Sequence, residues 1–356
     1  MEPEVIAGLV SEALPTEACL LTHLQSPCDL AKERSKALVV SPGRAQTAEV
    51  LSRTAAFEHV EAWYMDLYAA AVAGQAFDEG GPQVVCSADL PEASYDLVAI
   101  PTLKKSEAEL TRELLQQAHQ RLSVGGVLVT SVENPKDQWL HEQMQTLFNK
   151  VTSVRDPKGC VYWGRKTEEL KKVKDFTGEF AFRDEEERLI HMTTRPGVFS
   201  HRRLDSGARQ LMLFAEVGEE DRVLDMGCGA GAVAIATSFL TKGRVLGVDS
   251  NARAIECLKQ NAKKNDCANV EGLLNADGQL GVDDSVDLAL ANPPYYGDHR
   301  ISQHFVDSCI QSLRVGGALL VVTKQPRWFE GYMHERLEDL AIFETARYHL
   351  VCGRKV

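Results

Sequence analysis

The sequence has no run of about 18 consecutive apolar residues, the minimum for a helix that crosses a bilayer, so no membrane-spanning helix is expected. It has no C-x-x-C pair. Its nine cysteines are scattered, the nearest partners being Cys19/Cys28 and Cys257/Cys267, which leaves no zinc-ribbon or thioredoxin pattern and no metal site. An odd number of dispersed cysteines reads as reduced, mostly buried thiols in a cytoplasmic protein. The first ten residues carry Glu2 and Glu4 but no basic residue, so a secretory signal is not expected. Positive charge is also short: 39 Lys and Arg face 51 Asp and Glu, a net of −12. The deficit is uneven, with 15 basic against 24 acidic residues in 1–170 and 24 against 27 in 171–356. The first half is therefore a poor electrostatic clamp for nucleic acid, and the second half is near neutral.

What is present is an ordinary globular composition, 44% apolar and 25% charged over 356 residues, long enough for two domains with a core each. The chain repeats itself. Tyr95-Asp96-Leu97-Val98-Ala99-Ile100 resembles Val286-Asp287-Leu288-Ala289-Leu290-Ala291. Leu122-Ser123-Val124-Gly125-Gly126-Val127 resembles Leu313-Arg314-Val315-Gly316-Gly317-Ala318. Asp96 to Asp287 and Gly125 to Gly316 are both separated by 191 positions. One spacing shared by distant elements implies a duplicated domain. The expected division is 1–166 and 191–356, with the Lys/Glu-rich stretch 167–190, including Asp184-Glu185-Glu186-Glu187, as a solvated connector or helical linker.

Short apolar runs alternate with longer amphipathic ones in each half, the pattern of βαβ units around a mainly parallel sheet. In the second half strands are expected at 222–226, 244–248, 270–274, 286–291 and 318–323, and helices at 233–240, 252–264 and 304–313. Gly316-Gly317 is expected to turn into the fifth strand. Such sheets hold ligands at the carboxyl ends of their strands.

Val223-Leu224-Asp225-Met226-Gly227-Cys228-Gly229-Ala230-Gly231 is a strand running into a glycine-rich turn. By itself the glycine spacing also fits a dinucleotide site. Asp225 beside it offers a carboxylate to a positively charged amino-acid moiety, which a pyrophosphate would not tolerate. Asp249, at the end of the next strand, can accept from both hydroxyls of a ribose. Asn275-Ala276-Asp277-Gly278 follows the third strand; Asp277 could accept from an exocyclic adenine amine or simply form an Asx turn. Asn292-Pro293-Pro294-Tyr295 follows the fourth strand. The diproline aims the preceding side chain and leaves carbonyls free. Carbonyl oxygens of Asn292 and Pro293 suit an –NH₂ group whose lone pair is delocalised: accepting both N–H bonds draws the nitrogen towards tetrahedral geometry, so that its lone pair can meet a methyl sulfonium in line. Tyr295 offers a ring for stacking on a planar substrate.

Together these segments resemble the class I methyltransferases, and among them the group acting on amino nitrogens of adenine, guanine and glutamine. Arg195-Pro196-Gly197-Val198-Phe199-Ser200 followed by Leu204-Asp205-Ser206-Gly207 narrows the likeness to ribosomal RNA guanine-N2 methyltransferases of the RsmC/RlmG type. These carry a methyltransferase small domain after a degenerate copy. The resemblance implies an α/β fold of two tandem Rossmann-like domains, mainly parallel sheets with helices on both faces. It implies S-adenosylmethionine as cofactor, against Phe199, Ser200, Asp225, Gly227, Cys228, Gly229, Asp249, Ser250, Asp277 and Asn292. It further implies a guanine held by 292–295, ribosomal RNA or a ribosomal subunit as partner, and a cytoplasmic monomer. The chain departs from that pattern at Tyr295, where the family usually has Phe, at Tyr296-Gly297-Asp298 in place of His-Asp-Gly, and at Thr323-Lys324 in place of Ala-Asn.

In the first half, setting Gly43 on Gly227 puts Ser41 where Asp225 would be and Ala45 and Thr47 at two glycines, and with a shift of one position Asp66 aligns with Asp249. The 191-residue spacing puts Pro101 where Asn292 would be. A non-catalytic copy is expected. N6-adenine methylation of RNA or DNA, N5-glutamine methylation of a protein and an idle ribosome-binding module are the competing readings. The glutamine enzymes resemble a helical domain joined to one methyltransferase domain, and intact motifs in one copy speak against the idle module.

Overall fold

The computed structural model of the chain describes residues 12–29, 35–280, 285–294 and 299–356. It divides into two compact units, Met1–Phe176 and Thr177–Val356. The first holds β1 (Ser35–Val40), β2 (Phe57–Tyr64), β3 (Gln83–Cys86), β4 (Tyr95–Thr102), β5 (Leu122–Val132), β6 (Val151–Asp156) and β7 (Gly159–Arg165). The second opens with β8 (Gly178–Arg183) and β9 (Leu189–Thr194). It continues with β10 (Val223–Met226), β11 (Val245–Asp249), β12 (Val270–Leu274), β13 (Val286–Ala291), β14 (Leu313–Thr323), β15 (Leu337–Glu344) and β16 (His349–Lys355). The two large sheets have one topology, β3-β2-β1-β4-β5-β7-β6 and β12-β11-β10-β13-β14-β16-β15. In each, five parallel strands end in an antiparallel pair. The doubled α/β architecture is the one expected.

Apolar strands run through the middle of each sheet because both faces are covered. In β13, Leu288 and Leu290 enter one core while Ala289 and Ala291 enter the other. The helix Ala252–Lys264 begins where Asn251 Oδ1 accepts from the amides of Arg253 and Ala254, and it closes with Lys263 and Lys264 in its last turn. That is a capped helix with its charges matched to the dipole. The repeat extends to side-chain tethers. Asp96 accepts from Lys36 N at 3.1 Å and Asp287 from Arg222 N at 2.8 Å. Lys166 Nζ donates to Leu122 O at 2.8 Å, and Lys355 Nζ to Leu313 O at 2.6 Å.

Four expectations about boundaries change. The stretch 167–190 is not a helical linker, because 178–190 lies within the second unit. There β8 and β9 pair as a hairpin, and Phe182, Ile190 and Met192 are buried against Leu211 and Val233. The alternating apolar residues drive the pairing, and the acidic run forms the turn, where Arg188 Nε donates to Asp184 Oδ2 at 2.7 Å. Gly316-Gly317 does not precede the fifth strand but lies inside it. β14 starts at Leu313, and Gly316 (φ 75°) sits where the pairing shifts from Val286↔Leu313 to Leu288↔Ala318, a bulge. The helix expected from 304 begins at Arg300, and the one expected over 233–240 spans Ala232–Ser238.

Candidate active site

The glycine-rich loop 227–231 joins β10 to the helix Ala232–Ser238, with φ of 74° at Gly227, 53° at Gly229 and 90° at Gly231. A Cβ at Gly227 would meet the Phe305 ring at 2.5 Å, and one at Gly231 would meet Leu258 Cδ1 at 2.2 Å. At Gly229 the nearest atom to such a Cβ is the Phe199 carbonyl oxygen, 4.0 Å away. The loop is thus clamped at both ends and open in the middle.

Asp225, buried at the end of β10, accepts from Ala234 N at 3.0 Å. Burial pushes its carboxyl up to about 7, the neighbouring Asp249 charge adds to this, and the Ala234 amide opposes it. Asp249 Oδ2 accepts from Gly229 N at 2.9 Å, and its Oδ1 from Asn251 N at 2.9 Å. One carboxylate therefore ties the second strand end to the open centre of the loop. Ser250 follows it. Asn251 Nδ2 donates to Gly197 O at 2.9 Å and the buried Arg253 to Pro196 O at 2.7 Å. These two contacts hold the segment that carries Phe199 and Ser200 opposite Gly229. Phe199, Ser200, Asp225, Gly227, Cys228, Gly229 and Asn292 line one cleft, and Phe199 is 64% exposed, its ring open to a ligand. Of the other expected cofactor residues, Asp249 and Ser250 do not line that cleft, and neither does Asp277. It accepts from Gln279 N and Asn275 Nδ2, both at 2.9 Å, the turn geometry named as its alternative; these bonds hold its carboxyl below the usual range.

Asn292 leaves β13 half-buried, and its Nδ2 donates to Asp205 Oδ2 at 2.9 Å. Asp205 caps the helix Ser206–Phe214, accepting from Gly207 N at 2.8 Å and Ala208 N at 3.0 Å. An ionised carboxylate only accepts, so the amide nitrogen of Asn292 must face it and the carbonyl oxygen is left for another donor. Pro293 follows, and the Pro294 carbonyl accepts from buried Ser302 at 3.1 Å. Tyr295, Tyr296, Gly297 and Asp298 lie outside the described residues. Thr323 Oγ1 accepts from Gln325 N at 2.9 Å. Lys324 Nζ sits 5.3 Å over the Tyr348 ring, and Tyr348 Oη shares a hydrogen bond with Ser206. Lys324, in place of the family's Asn, thus packs on the ring that bonds the neighbour of Asp205. In the sequence Asp205 stands within the L-D-x-G segment Leu204-Asp205-Ser206-Gly207. Its role as a helix N-cap was readable there from an Asp just before the helix, but its contact with Asn292 was not.

In the first unit the loop 41–45 joins β1 to the helix Gln46–Ser52 and has the same length as 227–231. Strand register corrects the alignment drawn through Gly43 and Gly227. Val39 pairs with Ala99 as Asp225 pairs with Leu290, so Val39, not Ser41, stands in place of Asp225. Gly43 then matches Gly229, and Ala45, at φ 62°, matches Gly231. Val40 pairs with Trp63 as Met226 pairs with Val248, so Tyr64, not Asp66, stands in place of Asp249. Asp66 instead caps the helix Leu67–Gln75 through Ala69 N. The space left open at Gly229 is filled here, since Leu14 Cδ1 comes within 2.8 Å of a Cβ built on Gly43. Tyr64 Oη donates to Gly43 O at 2.9 Å, and the buried Glu17 accepts from Thr47 N at 2.8 Å.

Residues 189–352 match the family model of the methyltransferase small domain. The chain is 29% identical to ribosomal RNA small subunit methyltransferase C of Hahella chejuensis over 216 residues, 56% of this chain and 61% of that relative, so the match spans about three fifths of its length. It is 27% identical to the protein of that name from Escherichia coli strain K12 / DH10B over 288 residues, 79% of this chain and 78% of the relative. Among solved structures, the T. thermophilus 16S rRNA N2 G1207 methyltransferase (RsmC) in complex with AdoMet and guanosine superposes with a TM-score of 0.75 at 22% identity. That superposition covers 90% of this chain and 88% of the other, and establishes a shared fold. The second unit, over residues 189–352, is thus a methyltransferase small domain.

Proposed function

We propose that this chain methylates the exocyclic N2 amine of a guanine in ribosomal RNA. The observation that carries the reading is the Asn292–Asp205 hydrogen bond, which leaves the Asn292 carbonyl oxygen as an acceptor in the same cleft as the glycine loop. The relatives named above, which act on small-subunit ribosomal RNA, supply the substrate class.

The donor set fits S-adenosylmethionine. Asp225 has one hydrogen bond to Ala234 and burial that disfavours its charge, so it gains from an ammonium partner. Asp249 points its carboxylate at the loop, where a ribose diol can donate to it. The cavity at Gly229 lies under Phe199. When bound, the cofactor supplies an electrophilic methyl group on a sulfonium.

In this reading the protein's own work is positioning. Asn292 Oδ1 and the Pro293 carbonyl accept the two N–H bonds of the guanine amine, pyramidalise its nitrogen and turn the lone pair towards the methyl donor. Tyr295 stacks on the base. No side chain of the motif serves as a base, and the proton leaves to water after transfer. Ribosomal RNA is the partner, and the enzyme works as a cytoplasmic monomer. Among the described residues no helix is long and apolar enough to cross a membrane.

Nucleoside mass spectrometry of ribosomal RNA from cells lacking the gene tests the reading. Loss of N2-methylguanosine is expected. An unchanged level would redirect the search to N6-methyladenine or methylglutamine, which share the same amine chemistry.

A further inference from the structure

A stack of three rings stands near the target-amine site and has no part in the chemistry above. His299 lies 4.3 Å from Trp328 at an interplanar angle of 11°, and Trp328 lies 5.1 Å from Tyr332 at 9°. Buried Phe329 meets the indole edge-on at 4.7 Å and anchors it to the core. At the other end Tyr332 Oη donates to Asp307 at 2.9 Å, while Arg336 stacks 4.5 Å over its ring and pairs with the same carboxylate. The far end of the ladder is therefore fixed, and its near end, His299 with Trp328, opens on a hollow of about 450 Å3 completed by Gln325, Pro326 and Arg327.

That hollow has the electrostatics of an anion site in a chain of net charge −12. Arg327 is exposed at its rim, and among the described residues none of the five that line it is acidic. The helix Pro326–Met333 starts there, and Gln325 gives it no side-chain cap, so the positive end of the dipole faces the hollow. Its place follows from the sheet. Asn292 leaves β13 and Gln325 leaves β14, adjacent parallel strands paired at Ala291↔Val321, so both emerge at the same sheet edge.

We propose that the hollow is a second nucleotide subsite. It takes a base of the RNA that flanks the target guanine, stacked on the outer face of His299 at the open end of the His299–Trp328–Tyr332 ladder, with the phosphate of that nucleotide on Arg327 and the start of the helix Pro326–Met333. This rests on the ribosomal RNA reading. Ring stacking is tolerant of base identity and phosphate contact is blind to it, so the subsite holds the strand in place and leaves the choice of base to the Asn292 site.

Steady-state methylation of unmodified ribosomal RNA by the full chain tests this with Arg327→Glu and Trp328→Ala. Both variants are expected to raise the KM for RNA by about ten-fold or more, and Arg327→Glu to flatten the salt dependence of RNA binding by about one unit of log–log slope. S-adenosylhomocysteine affinity, measured alongside, is expected to stay at the wild-type value. An unchanged RNA KM in the exposed Arg327→Glu variant overturns the subsite, as does a fall in kcat with KM unmoved. The ribosomal RNA reading fails separately, if the wild-type chain leaves no methylated base in that RNA.

Discussion

Asn292 and Asp205, 87 positions apart, meet through a single 2.9 Å hydrogen bond from amide to carboxylate. That bond decides which way the amide faces. Asn292→Ala removes the acceptor itself and is expected to lower kcat by about 10²–10³-fold, the scale on which single transition-state hydrogen bonds count. S-adenosylhomocysteine affinity should change little. Loss of that affinity without loss of turnover would contradict the assigned role.

Asp205 separates two functions that its variants can resolve. Asp205→Ala loses the helix cap, a cost of about 1 kcal/mol, together with the orientation of Asn292. Asp205→Asn keeps a capping oxygen but no longer dictates the orientation of the amide. Chemical denaturation should show the alanine variant clearly less stable and the asparagine variant near wild type, while kcat falls in both. Wild-type kcat in Asp205→Asn would show that the bond has no part in positioning.

Gly207 lies where the pair leaves no room. A Cβ there would come 2.9 Å from Asn292 Oδ1 and 2.9 Å from Asp205 Oδ2. Alanine gains up to about 1 kcal/mol as a helix former, but the same Cβ crowds the capping oxygen, whose loss costs about 1 kcal/mol, so Gly207→Ala is expected to leave Tm near wild type while lowering kcat. A drop in Tm with kcat intact would show that the helix, not Asn292, gives way.

Asp225 predicts a pH dependence. Its folded-state pKa, about 7, lies above the unfolded value, so in the ligand-free protein its contribution to stability is present at low pH and is lost as pH rises through about 7. An ammonium ligand reverses the preference by favouring the ionised form. S-adenosylhomocysteine should therefore bind more weakly below pH 7, and the rise in Tm that it causes should be larger at pH 8 than at pH 6. Calorimetry showing affinity flat across that range would remove Asp225 from the ammonium site.

Only one of the two units should hold cofactor. The first unit has Tyr64 in place of Asp249 and Leu14 in the space opposite Gly43. Titration of the full chain is expected to give one equivalent bound, and Asp249→Ala should weaken it by about 1.5–3 kcal/mol, the value of a charged hydrogen bond. A second equivalent that survives Asp249→Ala would place a live site in the first unit.

The sequence by itself determined the duplication, because the strand and bulge segments within 95–132 recur 191 positions on, within 286–323. It also determined the strand Val286–Ala291, the helix Ala252–Lys264 and the glycine loop, since local periodicity and caps depend on near neighbours. It misjudged the first unit's loop because a glycine is easily matched to the wrong glycine, and only hydrogen-bond register, with Val39 opposite Ala99, shows which residue faces the site. The hairpin β8–β9 was hidden by its charged turn. Which way Asn292 points, and what fills the hollow beside Gly43, depend on Asp205 and Leu14, residues brought there by packing across many turns of chain. Such contacts leave no periodic trace in a single sequence, so the tertiary structure alone decided them.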